Sequence, residues 1–462
     1  MVADLLITNG TLVTADTQYA ADILVRDGRI EAILNSGSAP AAREVVDAVG
    51  LYVLPGAIDV HTHVRDPGLT WKETWTTASR AAAVGGVTTI FDMPNTDPIV
   101  ATPEAVHGKL AAAAAQSCVD FGVYGVVLES TLHMLRPMHA AGAVAFKLMM
   151  ATDNPRMPTP CDGAVLEALG ILADLRLRTT VHAENGAILR WREARLRAEG
   201  RSDAGAHLAQ HIDIAAVEAT SRIALFAEWT GAAIHIAHEN TRHSLPVIAA
   251  AKTRGVDLTV ETCPHYLFLS TDDVARVGGM EMRVKPPVRE PGHATPLFEA
   301  LRSGLIDMLS TDHAPHLPAE KRRPSIWDCA PGFPGVETSM ALMLREVNAG
   351  RLTLSQYVRM ACTAPARAFG LAMKGTLDPG RDADIVLVDM GRRGTVRGEK
   401  LQSLGRLTPF DGFALHGLPV RTLVRGRTVA LNGAPVAAEG WGRPVSPARS
   451  STGFGSTAQT RQ

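Results

Sequence analysis

Cysteine pairs, long apolar runs and an excess of charge of one sign are all missing from this chain of 462 residues. The five cysteines are scattered without a CxxC spacing, which argues against a disulfide framework or a cysteine zinc site and favours a cytoplasmic protein. The formal net charge is −1, so nothing indicates a nucleic-acid or membrane-surface partner. No apolar run approaches the roughly 18 residues of a membrane-spanning helix. The start carries an early Asp4 and no basic region, so we expect no signal peptide.

The composition that remains is that of a soluble protein with a large core. Hydrophobic residues make up 46% of the chain and charged residues 20%. The length suffices for one large α/β domain plus a smaller module, or for two to three ordinary domains. The sequence pattern has to decide between these alternatives.

Short strand patterns occupy both ends of the chain. The N-terminal strands are interrupted by hairpin signals such as Asn9-Gly10, and strands return after about residue 371 with turns such as Asn432-Gly433. Two β-rich ends that flank a larger domain most simply pair with each other. We therefore predict one discontinuous small domain from residues 1–54 and 371–440. The last stretch, 441–462, is rich in Ser, Gly, Pro, Thr and Arg, and we expect it to be disordered.

Between residues 55 and 370 the chain alternates eight times between apolar strand patterns and helical patterns. This alternation indicates a (β/α)₈ barrel, in which catalytic groups collect at the C-terminal ends of the strands. A doubly wound sheet is the alternative, and it is weakened because no strand ends in a phosphate-binding G-x-G-x-x-G. The predicted strands cover residues 56–60, 87–91, 120–127, 144–149, 179–181, 233–237, 258–261 and 306–310.

Metal-ligand residue types stand at the ends of several predicted barrel strands. Side chains at i and i+2 of a strand point to the same side, so a His-x-His pair can grip one ion. A single histidine is more often a core residue than a ligand. His235 has the opposite strand parity to His238, three residues later, and is interpreted as structural. Several such residues at one barrel mouth indicate a metal site suited to zinc. The candidate ligands are His61, His63, Lys147, His182, His238 and Asp312.

Lys147 lies inside the apolar run 143–150. A bare ammonium buried beside metal ions would be disfavoured by desolvation and by like-charge repulsion. Either the lysine pairs with a carboxylate, or CO₂ adds to the neutral amine and gives a carbamate that can bridge two metal ions. Two divalent ions, one carbamate, one aspartate and one hydroxide leave a net charge near +1, which suits a developing oxyanion.

Asp312 is the candidate catalytic residue of this group, and three further residues are candidates for substrate binding. The aspartate can ligate a metal, take a proton from the attacking hydroxide and pass it to a leaving nitrogen. A helix cap is the weaker explanation, because prolines follow it. Arg65, Asn95 and His316 fall around the same predicted mouth, where a guanidinium fork favours a carboxylate and the other two can add hydrogen bonds. Each alone would more often be an ordinary loop residue.

These motifs together resemble the cyclic amidohydrolases, a group that contains dihydroorotases, allantoinases, hydantoinases and dihydropyrimidinases. The resemblance extends from about residue 4 to about residue 436. It is carried by PGAIDVHTHVRDPG (55–68), GGVTT (85–89), MPNT (93–96), FK (146–147), VHAEN (181–185), ETCPHYL (261–267), TDHAPH (311–316), GFPGVET (332–338) and DADIVLVD (382–389).

The resemblance implies a dizinc (β/α)₈ barrel with a small β-sandwich built from both termini. It assigns all six candidate ligands, with Lys147 carbamylated and Asp312 also acting as the proton shuttle. The implied reaction is the opening of a cyclic amide, or its reversal: a bridging hydroxide attacks the metal-polarised ring carbonyl and the C–N bond breaks. A homodimer or a homotetramer is the family expectation.

Within the family the dihydroorotases look nearest. They use Arg, Asn and His at the positions of Arg65, Asn95 and His316 to hold the substrate carboxylate. Allantoinases usually carry Asn at the first position, and hydantoinases usually carry Phe at the third. We therefore expect interconversion of L-dihydroorotate and N-carbamoyl-L-aspartate first. The alternatives are allantoin, a hydantoin, a dihydropyrimidine or another cyclic imide or ureide.

Two departures from the family pattern concern the substrate. Glu239 and Asn240 replace the usual small Ser or Thr residues after the sixth-strand histidine. The Arg-Pro that often precedes the helix near residue 215 is absent, and Gln210-His211-Ile212-Asp213 stands there instead. These positions flank the substrate. A non-catalytic scaffold homologue is a further hypothesis, but such a protein would be expected to lose metal ligands, and none is missing here.

Overall fold

Two sheets organise the residues that the computed structural model describes, which are 2–37 and 40–447. One sheet has eight parallel strands in sequence order, from β6 (Ala57–Thr62) to β13 (Met308–Leu309). The other has nine strands contributed by both ends of the chain. The predicted fold class, a (β/α)₈ barrel with a small β domain built from both termini, is confirmed.

The terminal sheet joins the two ends of the chain directly. Its order is β17-β16-β15-β14-β5-β1-β2-β3, and β4 pairs with β1. The junction is the antiparallel pair of β14 and β5, in which Val386 faces Leu54. The strands are β1 (Ala3–Val13), β2 (Gln18–Arg26), β3 (Arg29–Leu34), β4 (Ala42–Asp47), β5 (Tyr52–Pro55), β14 (Ile385–Thr395), β15 (Ala414–Val424), β16 (Arg427–Leu431) and β17 (Ala434–Pro435).

The Asn9-Gly10 signal is a bulge and not the predicted break between strands. β1 runs through it, with a register shift against β2 between Ile7 and Gly10. Asn9 has a φ of 61°, which an asparagine tolerates in a bulge. A Cβ at position 10 would lie 2.5 Å from a methyl carbon of Val53, so the neighbouring strand requires glycine there. The Asn432-Gly433 signal does connect two strands, β16 and β17, as predicted.

The barrel is closed by contacts between its first and last strands. The His63 backbone N–H donates to the His313 carbonyl at 2.7 Å. β13 is shorter than predicted because Asp59, on β6, accepts from the Ser310 hydroxyl at 2.7 Å and from the Thr311 backbone N–H at 3.3 Å. The strands between β6 and β13 are β7 (Val87–Asp92), β8 (Asp120–Val126), β9 (Ala145–Met149), β10 (Thr179–His182), β11 (Ile234–Ile236) and β12 (Leu258–Thr262).

Helices cover the outside of the barrel with small apolar side chains. In α7 the buried residues Ala215, Ala219, Ile223 and Ala227 recur at the four-residue spacing of one helix face, and Gly231 ends the helix at a φ of 70°. No described helix combines the length and the apolar character needed to cross a membrane. The helices are α1 (Trp75–Val84), α2 (Pro103–Gln116), α3 (Leu135–Ala140), α4 (Asp162–Asp174), α5 (Gly186–Ala198), α6 (Ala204–Gln210), α7 (Asp213–Thr230), α8 (Leu245–Thr253), α9 (Pro264–Phe268), α10 (Val274–Val277), α11 (Ala294–Ser303), α12 (Pro318–Lys321), α13 (Ser339–Asn348), α14 (Leu354–Val358) and α15 (Ala364–Ala368).

The chain beyond β17 returns to the barrel, where disorder was expected from residue 441. The Phe121 N–H donates to the Arg443 carbonyl at 3.0 Å, and the Val445 N–H donates to the Phe121 carbonyl at 2.8 Å. The Trp441 indole donates to the Val424 carbonyl at 3.0 Å. Backbone pairing and this aromatic contact therefore order the chain as far as 447. The remainder of the expected tail, 448–462, lies outside the described residues.

Candidate active site

A cavity of about 470 Å³ opens at the C-terminal ends of the barrel strands. Every residue that was predicted from the sequence to bind metal or substrate lines this cavity. The six candidate ligands and the three candidate substrate residues are therefore brought together in one place: His61, His63, Arg65, Asn95, Lys147, His182, His238, Asp312 and His316.

Three ligand atoms converge on one side of the cavity. Asp312 Oδ1 lies 3.0 Å from His63 Nε2 and 3.3 Å from His61 Nε2. Burial would raise the pKa of Asp312, but the neighbouring histidines outweigh it and hold that pKa well below its usual range. Burial lowers the pKa of His63 to about 4, so its ring is neutral. Two imidazole nitrogens and an ionised carboxylate are a donor set that fits a divalent transition metal.

A second pair of ligand atoms lies beside the first group. His182 Nδ1 lies 3.0 Å from His238 Nε2. The other nitrogen of His182, Nε2, lies 3.0 Å from a carboxylate oxygen of Glu184. If that nitrogen carries the proton, Nδ1 is left with a lone pair for a metal ion. This arrangement fits a second metal position.

Acceptors behind the histidines orient the rings. Glu261 bonds Nδ1 of His61, and Asn95 Oδ1 lies 2.7 Å from Nδ1 of His63. With Nδ1 donating, both Nε2 atoms carry lone pairs toward Asp312. Sequence reasoning missed the roles of Glu261 and Glu184. A signal for Glu184 was present, because it stands two residues after His182.

His235, interpreted from strand parity as structural, does not face the cavity. Its Nε2 lies 3.0 Å from Glu261, and its Nδ1 lies 2.9 Å from the Thr259 hydroxyl. The ring is buried, and burial lowers its pKa. His235 therefore holds the far side of the carboxylate that also orients His61.

Lys147 places an amine without a partner among the candidate ligands. Its side chain is 3% exposed, and its Nζ has no hydrogen-bond partner in the described structure. Burial lowers the pKa of Lys147 to about 8, so a fraction of the amine is uncharged near neutral pH. The ion pair that was the alternative explanation is not formed in the part of the chain described. An orphaned buried amine that lines the same cavity as both groups of ligand atoms fits a carbamate that would bind metal ions there.

Three of the residues at the cavity have a left-handed backbone. The φ angles are 68° at Arg65, 41° at His238 and 47° at Asp312. Such conformations cost non-glycine residues on the order of 1–3 kcal/mol each and cluster at functional sites. The local backbone is thus bent to aim these side chains into the cavity, against its intrinsic preference.

The candidate carboxylate clamp is only partly available. His316 Nε2 lies 3.1 Å from the Arg65 guanidinium and 3.0 Å from the Pro331 carbonyl, and its Nδ1 lies 3.3 Å from Lys72 Nζ. Burial lowers the pKa of His316 to about 3, so the ring is neutral and both of its nitrogens already face protein groups. Asn95 has its oxygen engaged by His63, which leaves its Nδ2 amide group as a donor. Arg65 remains, with its Nε unpartnered.

Comparison with known proteins shows the family to which the chain belongs. The model of the Amidohydrolase family matches residues 52–429, and the chain belongs to this family. It is 37% identical over 449 residues to an L-hydantoinase of Paenarthrobacter aurescens, covering 96% of this chain and 98% of the relative. It is 34% identical over 431 residues to an allantoinase of Solibacter usitatus, covering 93% and 94%. A dihydroorotase of Halobacterium salinarum is 40% identical over 418 residues, covering 88% and 94%.

Solved structures give the same result. An L-hydantoinase (dihydropyrimidinase) from Arthrobacter aurescens superposes with a TM-score of 0.94 at 36% identity, covering 96% of this chain and all of that one. A D-hydantoinase superposes with a TM-score of 0.89 at 33% identity, covering 96% and 98%. The resemblance to the cyclic amidohydrolases is therefore confirmed, and the chain is a hydrolase of that group.

Proposed function

We propose that the protein opens hydantoin-type rings, five-membered cyclic ureides such as a substituted hydantoin or allantoin, in a metal-dependent hydrolysis. The observation that carries this proposal is the engagement of His316, which leaves no free N–H for the three-donor clamp that a dihydroorotate carboxylate would need. The end-to-end similarity to an L-hydantoinase supports the same substrate class. The expectation that dihydroorotate comes first is therefore corrected in favour of its alternative.

The donor atoms divide into two sets that would hold two divalent ions. His61, His63 and Asp312 would hold one ion, and His182 and His238 the other, with Lys147 as a carbamate shared between them. Zinc or a similar ion bound there supplies a polarised ring carbonyl and a water molecule of lowered pKa.

The chain's own groups supply the proton transfers and the exclusion of solvent. Asp312 is ionised, so a carboxylate oxygen can take the proton released during attack and deliver it to the ring nitrogen that leaves. That carboxylate lies 3.3 Å from His61 Nε2 and 3.0 Å from His63 Nε2, which places it among the candidate metal ligands. Asp312 is buried in the cavity, which keeps the transferred proton away from bulk water.

Dihydroorotate is the second candidate substrate because of Arg65. This guanidinium lines the cavity and has an unpartnered Nε, so it can still bind a carboxylate. The similarity to a dihydroorotase supports this candidate as well. A clamp that keeps Arg65 and the Asn95 amide N–H but lacks the His316 donor would bind an acidic ring more weakly than the complete set.

A substrate panel tests the proposal. The kcat/KM of the zinc-loaded protein is measured on 5-substituted hydantoins, allantoin, L-dihydroorotate and dihydrouracil, with the metal content determined on the same sample. We expect the hydantoin-type rings to give the highest values. Dihydroorotate as the best substrate, with an Arg65→Met variant that loses dihydroorotate turnover far more than hydantoin turnover, would refute it. Two equivalents of zinc without turnover of any ring would instead support a scaffold role.

A further inference from the structure

Two adjacent side chains in the cavity wall carry hydrogen-bond acceptors that no described residue uses. Gln210 ends α6 and His211 follows it, before α7 begins. Both line the cavity and are 4% and 1% exposed. Gln210 Oε1 and His211 Nε2 have no hydrogen-bond partner in the described structure. Because buried polar atoms are nearly always satisfied, this pair calls for a ligand.

The proton on His211 is fixed by its neighbour. Nδ1 lies 2.8 Å from a carboxylate oxygen of Glu184, and only a donating N–H is compatible with that contact. Burial lowers the pKa of His211, so the ring carries a single proton. Nε2 is therefore a lone pair, and the ring presents an acceptor on its free side.

The orientation of the Gln210 amide is fixed in the same way. Its Nε2 donates to a carboxylate oxygen of Glu193 at 2.8 Å. A flipped amide would set its oxygen against that carboxylate, so the assignment of oxygen and nitrogen follows from the contact itself. Gln210 Oε1 is therefore also an acceptor.

We propose that Gln210 Oε1 and His211 Nε2 form a recognition subsite for N–H donors on the ring substituent of the substrate, as in a ureido or carboxamide arm. This inference rests on the proposed function and specifies the arm of its substrate. An N–H that enters the cavity satisfies both orphaned acceptors. A carboxylate arm would instead meet two lone pairs, with Glu184 and Glu193 directly behind them.

Cationic groups on the same wall do not reverse this preference. Lys285 lines the cavity, but it is paired with Asp153. Arg190 also lines it and lies at the exposed end of the wall. The two acceptors are the buried, solvent-shielded groups of this region, where a hydrogen bond discriminates most strongly between arms.

Two conservative variants test the subsite without removing the groups that hold it. Gln210→Met removes the amide oxygen at similar length, and with it the N–H donor to Glu193, which stays in place. His211→Asn keeps a donor near the position of Nδ1, facing Glu184, and removes Nε2. The substrates are allantoin, whose ureido arm carries N–H donors, and 5-butylhydantoin, whose arm has a similar length and none. Metal content and thermal stability are measured on every variant.

We expect each variant to lower kcat/KM for allantoin about tenfold, which corresponds to about 1.4 kcal/mol for one hydrogen bond, and to leave the value for 5-butylhydantoin unchanged or higher. A parallel fall for both substrates would show a structural role only and would overturn the inference, as would no change for either. A wild-type preference for 5-carboxymethylhydantoin would overturn it in favour of the cationic groups. If the wild type opens 5-butylhydantoin but the ratio does not move, the subsite fails alone. If it opens no hydantoin, the proposed function fails and the subsite with it.

Discussion

Replacement of Lys147 by methionine should stabilise the metal-free protein and at the same time abolish metal binding and turnover. The amine is buried and has no partner, whereas methionine fills a similar volume without a charge. Burial lowers the pKa of Lys147 from its ordinary 10.5 to about 8. Since each pH unit corresponds to ~1.4 kcal/mol, folding at pH 7 loses about 3 kcal/mol through this group.

The sign of this effect gives it a characteristic pH dependence. Between pH 8 and 10.5 the unfolded chain holds the lysine proton and the folded chain does not, so the stability of the wild type rises with pH across that window. The gain from methionine is therefore complete below pH 8 and disappears above pH 10.5. Urea unfolding of both proteins, stripped of metal and CO₂, at pH 7 and pH 10.5 measures it.

Lys109 provides a matched control. It is equally buried, but its Nζ lies 2.6 Å from Asp92. Lys109→Met leaves that carboxylate buried and unpaired, so we expect a loss of about 3–5 kcal/mol. Destabilisation by Lys147→Met at pH 7 would mean that the amine has a partner in the folded protein, and the argument for its modification would be lost. A Lys147→Met protein that still binds two equivalents of metal would refute the ligand assignment.

Two further substitutions test a group beside a candidate ligand and a buried carboxyl group elsewhere in the protein. Glu261→Gln should raise the Kd for the metal by roughly 10–100-fold, because the carboxylate no longer orients His61. Competition with a chelator measures this Kd. An unchanged Kd would show that Glu261 does not support metal binding. Burial raises the pKa of Glu337 to about 8, so the folded chain keeps this proton longer than the unfolded one, and stability should fall as pH rises from 4.5 to 8. Glu337→Gln should flatten this part of the urea-unfolding profile, and an unflattened profile would assign it to other groups.

The grouping of the candidate ligands around one cavity could be predicted because the information for it is local. Strand parity alone places His61 and His63 on one side, and the apolar strand around Lys147 marks that amine as abnormal. The eight strands could be predicted in the same way, from the alternation of apolar strand patterns and helical patterns. The distinction between a hairpin and a bulge at Asn9-Gly10 was not local, because Val53, from another strand, decides it.

Substrate specificity could not be predicted from residue types, because it depends on which hydrogen-bonding groups are already engaged. Arg65, Asn95 and His316 all line the cavity, as their positions suggested. The sequence does not reveal that Lys72 and the Pro331 carbonyl face the two nitrogens of His316. The three residue types of the clamp are therefore all present, but His316 has no free N–H left to donate to a carboxylate.

The proposed role of Gln210 and His211 also depends on which polar atoms are already hydrogen-bonded. Neither side chain carries a charge. Each has one polar atom fixed by a carboxylate and one left over. The carboxylates of Glu193 and Glu184 bind the N–H groups of these two side chains, so only acceptors are left for a ligand. The Arg65 guanidinium, in contrast, supplies hydrogen-bond donors. A cavity with a cation at one place and orphaned acceptors at another favours a substrate that is itself both acceptor and donor. A ureide ring with C=O acceptors and an arm with N–H donors has that pattern, whereas a carboxylate arm lacks the donors.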